Sequence, residues 1–423
     1  MLKESLLLLA FLLASYVGIA MAADEEQSLE ERAATIHRDA IVIDGHNDVA
    51  IWIMDFGFDL AMDGWEPQDR WAWFHLAIPW LPWRPGADRL RTHTDLRRLE
   101  AGGLDAQFFS VWVSPEHYDV DHPVPGSAVS RANAIIDALE KQAKRHSARL
   151  EIAFSSEDVR RIVSSGKHAM LLGIEGGYTI EDNLENLRQF YRRGVRYMTL
   201  TWSFSHSWAD SAGDPLHDAE ALHGGLTDFG RKVVREMNNL GMLVDVSHVS
   251  DETFWDTLAI SRAPVIASHS SVRAIAPHPR NLSDDMLGAV ARNGGVVMIN
   301  FSVLYLDPRK TTPWKLAWDW VVHPGGSETS VSQVADHIDH VVRLAGVEHV
   351  GLGSDFDGAP FLPAGLQHVG ELPHITLELV RRGYTAEDLR KILGENLLRV
   401  LSEADGLAAR SHAAQLTVAA DTQ

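Results

Sequence analysis

The chain has 423 residues, 45% of them apolar and 23% charged, with a formal net charge of −20 and no cysteine. The apolar fraction excludes a disordered chain, and the acidity leaves no basic footprint for nucleic acid. The missing cysteine excludes disulfides, thiolate metal sites and a cysteine nucleophile, so any metal falls to the 21 His and 58 Asp plus Glu.

At the N-terminus, Lys3 precedes an apolar run, Leu6 to Leu13, and Ala20-Met21-Ala22 matches a small-residue cleavage site ahead of Asp24-Glu25-Glu26. These features predict a secretory signal peptide over residues 1–22. The alternative is a retained anchor, since residues 6–23 just reach the length of a span. No second apolar span follows. The expectation is a periplasmic or secreted protein with no stable membrane span once the signal is removed.

Short apolar runs then recur, most ending in a polar or ionisable residue. They lie at 40–48 (AIVIDGHND), 105–113 (DAQFFSVWV), 168–177 (HAMLLGIEGG), 195–202 (VRYMTLTW), 242–248 (MLVDVSH), 263–270 (APVIASHS), 295–301 (GVVMINF) and 349–356 (HVGLGSDF). Their length and β-branched content suit buried parallel strands. Helical patterns separate them, over 127–145, 227–240 (Thr227 as cap, Gly241 as stop), 283–293 and 332–345. Eight strand–helix units predict an α/β fold, a TIM-like (β/α)8 barrel, with the catalytic face at the C-terminal ends of the strands. An open doubly wound sheet is the alternative, but no G-x-G-x-x-G follows the first strand. A single domain over 23–403 is expected. It carries a Trp-rich insertion at about 52–90, readable as a packed lid or as an aromatic wall of a pocket, and a fraying Ala-rich tail follows over 404–423.

The ionisable residues fall at strand ends. His46 and Asp48 close the first strand; two apart, they can face the same side. Glu175 ends the third run, His248 the fifth and His269 the sixth, and Asp355 ends the last with Asp357 just beyond. One such residue can be a satisfied core group. Five strands ending this way in one barrel converge on one small volume, and the donors suit a metal without thiolates. They exceed the needs of one tetrahedral zinc, whereas two metals sharing a carboxylate use them all. Ser268, Ser270 and Ser271, beside His269, show no base-and-orienter pattern and read as backbone caps.

The chain resembles the membrane (renal) dipeptidase family of dizinc peptidases, within the amidohydrolase-like barrels. The matching stretches are DGHNDV (44–49), HTDLRRLEAGGLDAQFFSVWV (93–113), GIEGG (173–177), RYMTLT (196–201), WADS (208–211), DVSHVS (245–250), SHSS (268–271), RNLSDDML (280–287), SQVADHIDHV (332–341), GSDFDG (353–358) and ENLLRVL (395–401). By resemblance, His46 and Asp48 bind one Zn2+, His248 and His269 bind a second, and Glu175 bridges them. Asp355 matches the acid/base aspartate, Arg280 the arginine that pairs with the substrate's C-terminal carboxylate, and Tyr305 a substrate-contacting tyrosine. One position departs. After RYMTLT the family usually carries a His that polarises the scissile carbonyl, and here it is Trp202. Either His206, four residues on, takes that catalytic role and Trp202 lines the substrate pocket, or His206 is an ordinary loop residue. The family's human member has disulfides and a lipid-linked C-terminus, and this chain has neither the cysteines nor a hydrophobic tail.

The implied activity is zinc-dependent hydrolysis of dipeptides by a metal-bridging hydroxide. Asp355 would shuttle the proton, and Arg280 would measure substrate length through a bidentate carboxylate pair. Hydrolysis of another amide, such as a β-lactam or an N-acyl amino acid, fits the same residues. A non-catalytic metal-containing barrel is the third alternative. The expected partner is a dipeptide or a dipeptide-like small molecule, not nucleic acid, and a homodimer is compatible with the sequence.

Overall fold

The computed structural model describes residues 28–62, 92–114, 127–213, 219–310, 328–359 and 361–421, the last eleven by backbone alone. The expected signal peptide and residues 63–91 of the Trp-rich stretch lie outside the described residues. Nine strands form one parallel sheet: β1 Ile43–Asn47, β2 Ala106–Trp112, β3 Leu150–Ile152, β4 His168–Glu175, β5 Val195–Thr199, β6 Leu243–Asp245, β7 Ile266–Ala267, β8 Val296–Ile299 and β9 Val350–Leu352. The order is β2-β1-β9-β8-β7-β6-β5-β4-β3, and β2 also pairs with β4 along its whole length, from Ala106–Ala169 to Trp112–Glu175. That pairing closes an eight-stranded barrel, as expected. The strand not foreseen, β3, pairs with residues 168–170 of β4, below the point where β5 takes over at Leu172. Its three residues are too short a run to stand out in the sequence.

Helices link the strands, as parallel pairing requires. The helix Asp228–Leu240 starts where Thr227 accepts from Gly230 N and stops at Gly241, whose φ of 82° places it in the left-handed region. The helix Ser127–Arg145 buries Ala132, Ile135, Ile136 and Leu139 along one stripe. Among the described residues, no helix is long and apolar enough to cross a membrane. The C-terminal end differs from the expected frayed tail. One helix runs over Asn396–Asp421, and Ala404 and Ala408 are buried against Gly241, where a methyl on the glycine would come within 3.1 Å of Ala408 Cβ.

The barrel interior is filled by alternate residues: Ile43, Ala106, Phe108, Ala169, Leu171, Tyr197, Leu243, Ile266, Val296 and Met298 form one buried cluster. Period-two alternation carries the same inward face up each strand. Phe108 is followed by Ser110, Leu171 by Gly173 and Glu175, Tyr197 by Thr199, Leu243 by Asp245, Ile266 by Ser268, and Met298 by Asn300. The interior therefore turns from apolar to polar at the C-terminal mouth.

Candidate metal centre

Glu175 stands at the centre of that mouth. Its Oε1 lies 2.9 Å from His248 Nε2 and 3.4 Å from His269 Nε2. Its Oε2 lies 3.5 Å from His46 Nε2 and accepts from Ser110 Oγ at 3.3 Å. His46 Nε2 is 3.3 Å from Asp48 Oδ2, and the Nε2 atoms of His248 and His269 are 2.9 Å apart. Two donor groups thus face each other, His46 with Asp48 and His248 with His269, and Glu175 offers one oxygen to each. Asp355 joins His46 and Asp48 in a set whose ligand atoms lie within 4.8 Å of one another; His46, Glu175 and His269 form a second such set.

The donors fit a cation. His46 Nε2 and Asp48 Oδ1 are buried with no hydrogen-bond partner, and each such group costs on the order of 1–3 kcal/mol unless something satisfies it. Burial, reinforced by Arg280 nearby, pushes His248 down to a pKa of about 4, and burial with the neighbouring His46 lowers His269 well below its ordinary value. Both imidazoles are therefore neutral at neutral pH, the form that binds a metal. Imidazole and carboxylate donors without thiolate suit zinc and neighbouring divalent ions.

Local backbone holds these groups in place. His248 has a φ of 68°, and its carbonyl accepts from Ala212 N at 2.8 Å and Ser211 Oγ at 3.2 Å. Asp355 has a φ of 61°; its N–H donates to His46 O at 3.2 Å, and Asn300 Nδ2 donates to its Oδ2 at 3.0 Å. Burial pushes the Asp355 carboxyl up to about 7, with Asp48 and Glu175 adding to the rise. Gly358 leaves room for both acids, because a Cβ there would lie 2.1 Å from Asp48 Oδ2 and 2.6 Å from Asp355 Oδ1. Behind His46, Tyr197 Oη meets Nδ1 at 2.7 Å, and the phenol ring fills the space left by Gly173.

Arg280 is buried beside this cluster. Its guanidinium makes only long contacts, 3.5 Å to Ser270 Oγ and 3.5 Å to His269 O, and its Nε has no partner. Tyr305 lies under it, with the guanidinium carbon 5.4 Å from the ring centroid. Trp202 is half-buried at the mouth, 6.4 Å from the His248 ring, 5.0 Å from Trp112 and 6.2 Å from Phe204, centroid to centroid. His206 is not brought to the cluster. It is fully buried between Trp208 and Tyr178, and its Nε2–H donates to Leu200 O at 2.9 Å. Burial lowers its pKa to about 4, so it has no second N–H at neutral pH.

Sequence reasoning overlooked the layer behind the ligands: Tyr197, Asp245, Ser268 and Asn300. Ser268 is more than a cap, since its hydroxyl meets His269 Nδ1 at 2.7 Å. Ser271 Oγ does bond a backbone carbonyl, that of Asn300, while Ser270 Oγ meets Ser247 Oγ. The signal available was the repeated Ser-His pair at 247–248 and 268–269.

A parallel barrel with a His–carboxylate cluster at its C-terminal mouth is the architecture of a metal-dependent hydrolase. Comparison with known proteins narrows this class. The family described as membrane dipeptidase (peptidase family M19) matches residues 30–415. The dipeptidase tcpJ of Claviceps purpurea (strain 20.1) is 37% identical over 369 residues, covering 86% of this chain and 77% of that protein. The probable dipeptidase PvdM from Pseudomonas aeruginosa superposes with a TM-score of 0.74 at 25% identity, over 90% of this chain and all of that one. A metallopeptidase from Rhodobacter sphaeroides, solved with a phosphinate mimic of the dipeptide L-Ala-D-Ala, gives 0.69 at 27% identity, over 86% and 100% of the two chains. The chain belongs to the membrane dipeptidase family, which supports a metallo-dipeptidase activity.

Proposed function

We propose that the protein is a dizinc dipeptidase, with His46 and Asp48 at one zinc, His248 and His269 at the other, and Glu175 between them. One observation carries the choice of substrate. Arg280 is a buried cation beside His269 with no carboxylate paired to it among the described residues. Such a charge is costly to bury alone, and a planar substrate carboxylate answers it with a bidentate pair. A carboxylate held there sets the distance to the metal ligands, so the bond cleaved is the one next to the C-terminal residue and a dipeptide is the natural length.

Zinc ions bound at the two donor groups supply Lewis acidity and lower the pKa of a coordinated water. The chain's own residues do the rest. Asp355, with Oδ2 accepting from Asn300, offers Oδ1 to take a proton and return it to the leaving amine. Tyr305 floors the carboxylate site, and Trp202 with Trp112 and Phe204 walls the other side. A carbonyl-polarising role for His206 requires its hydrogen bond to Leu200 O to break.

The test is metal analysis joined to a panel of L,L- and L,D-dipeptides, tripeptides and N-acyl amino acids. Two zinc per chain with hydrolysis restricted to dipeptides is expected. A zinc-loaded protein that cleaves none of the panel, or cleaves tripeptides equally well, overturns the reading. Export to the periplasm or beyond is a second proposal, supported by Lys3, the Leu6–Leu13 run and Ala20-Met21-Ala22. N-terminal sequencing of the exported protein should begin at residue 23.

A further inference from the structure

The three histidines of the centre differ in what holds them from behind. Asp245, at the end of β6, is fully buried and surrounded by donors. Its Oδ2 accepts from Thr199 Oγ1 at 2.5 Å and from Ser268 Oγ at 2.6 Å. Its Oδ1 accepts from Ser247 N at 3.0 Å and Ser268 N at 2.8 Å. A carboxyl group whose four neighbours all donate acts as acceptor only. Ser268 has one hydroxyl proton, and the carboxylate takes it. The Ser268 oxygen, 2.7 Å from His269 Nδ1, is then left to accept from an Nδ1–H. That bookkeeping fixes the tautomer of His269 and leaves Nε2 bare, facing Glu175 and His248.

The other two ligands lack this arrangement. His46 Nδ1 meets the Tyr197 phenol, which burial keeps neutral. His248 Nδ1 is buried without a partner. We propose, building on the dizinc reading, that Asp245 acts through Ser268 as the positioning pair for His269 and sets the affinity of the His248–His269 metal position. Tyr197 serves the His46 position independently. Neither Asp245 nor Ser268 touches substrate. Orienting partners of this kind are worth roughly 10- to 100-fold in metal affinity.

The experiment is zinc stoichiometry and affinity by chelator competition on the full chain, for wild type, Ser268→Ala, Asp245→Asn and Tyr197→Phe. Ser268→Ala removes the acceptor for Nδ1–H. Asp245→Asn offers an N–H to Ser268, which turns its proton toward His269 and reverses the tautomer. Each should weaken one of two zinc equivalents by about 10- to 100-fold and leave the other at its wild-type value. Tyr197→Phe should weaken the other equivalent, and Tyr197→Phe with Ser268→Ala should weaken both. Ser268→Ala added to His269→Ala should cost nothing further. The melting temperature of the metal-free variants reports any general loss of fold, and the isosteric Asp245→Asn carries the test if Ser268→Ala does not fold. Wild type binding two equivalents while both variants keep both at full affinity overturns the proposal alone. So does a parallel loss of both equivalents that tracks the metal-free melting temperature. A wild-type chain that takes up no divalent cation overturns the dizinc reading and this proposal with it.

Discussion

Arg280 and Asp355 make separable contributions. Removing the buried guanidinium by Arg280→Ala should raise KM for dipeptides by about 10²- to 10³-fold, the cost of losing one partner of a buried charge pair, while zinc content stays at the wild-type level. Asp355→Asn keeps the shape and the Asn300 contact but cannot carry a proton. Zinc binding should persist and kcat should fall by roughly 10²- to 10⁴-fold; full activity in a zinc-loaded Asp355→Asn protein would remove the acid/base role. Gly358→Ala is the least conspicuous change and should be among the most harmful. Its methyl would enter within 2.1 Å of Asp48 Oδ2, so zinc affinity at the His46–Asp48 position should drop, as chelator titration would reveal.

Each strand delivers its ligand because its apolar run stops at an ionisable residue, and this is why His46, Glu175, His248, His269 and Asp355 were legible one strand at a time. Tyr197, Asp245 and Ser268 were not. They act across strands, and only the pairing of β5, β6 and β7 shows which hydroxyl meets which imidazole. Serine's commonest role, capping backbone, also hid Ser268. The C-terminal helix was misjudged beyond 404 for a related reason, since the surface that Ala404 and Ala408 cover belongs to a distant part of the chain around Gly241. Helix ends were better marked. Thr227→Ala should destabilise the metal-free protein by about 1 kcal/mol, through loss of the bond to Gly230 N, and denaturant melts would show it with no change in zinc affinity.

The molecule as a whole should be acid-sensitive independently of its metals. His168 and His337 are buried far from the centre, and burial lowers each to about 4 from 6.5. His337 accepts from Val272 N at 3.0 Å and donates to Leu306 O at 3.1 Å, which suits the neutral ring only. The unfolded chain gains its protons first as pH falls. The stability these rings contribute is complete above about 6.5 and is lost progressively down to about 4, at most about 3 kcal/mol each. Metal-free His337→Gln should start less stable at pH 7 and show a shallower decline between pH 6.5 and 4 in urea titrations; an unchanged slope would exclude the ring as the source. Zinc removal should lower the melting temperature of the wild type, because the donors then face one another without a cation. The left-handed backbone at His248, Asp355 and Asp357 carries a last consequence. Each residue holds a conformation in which glycine is more comfortable by about 1 kcal/mol. Selection for heat resistance alone would favour glycine at all three positions, and the hardiest descendants of this enzyme would be inert.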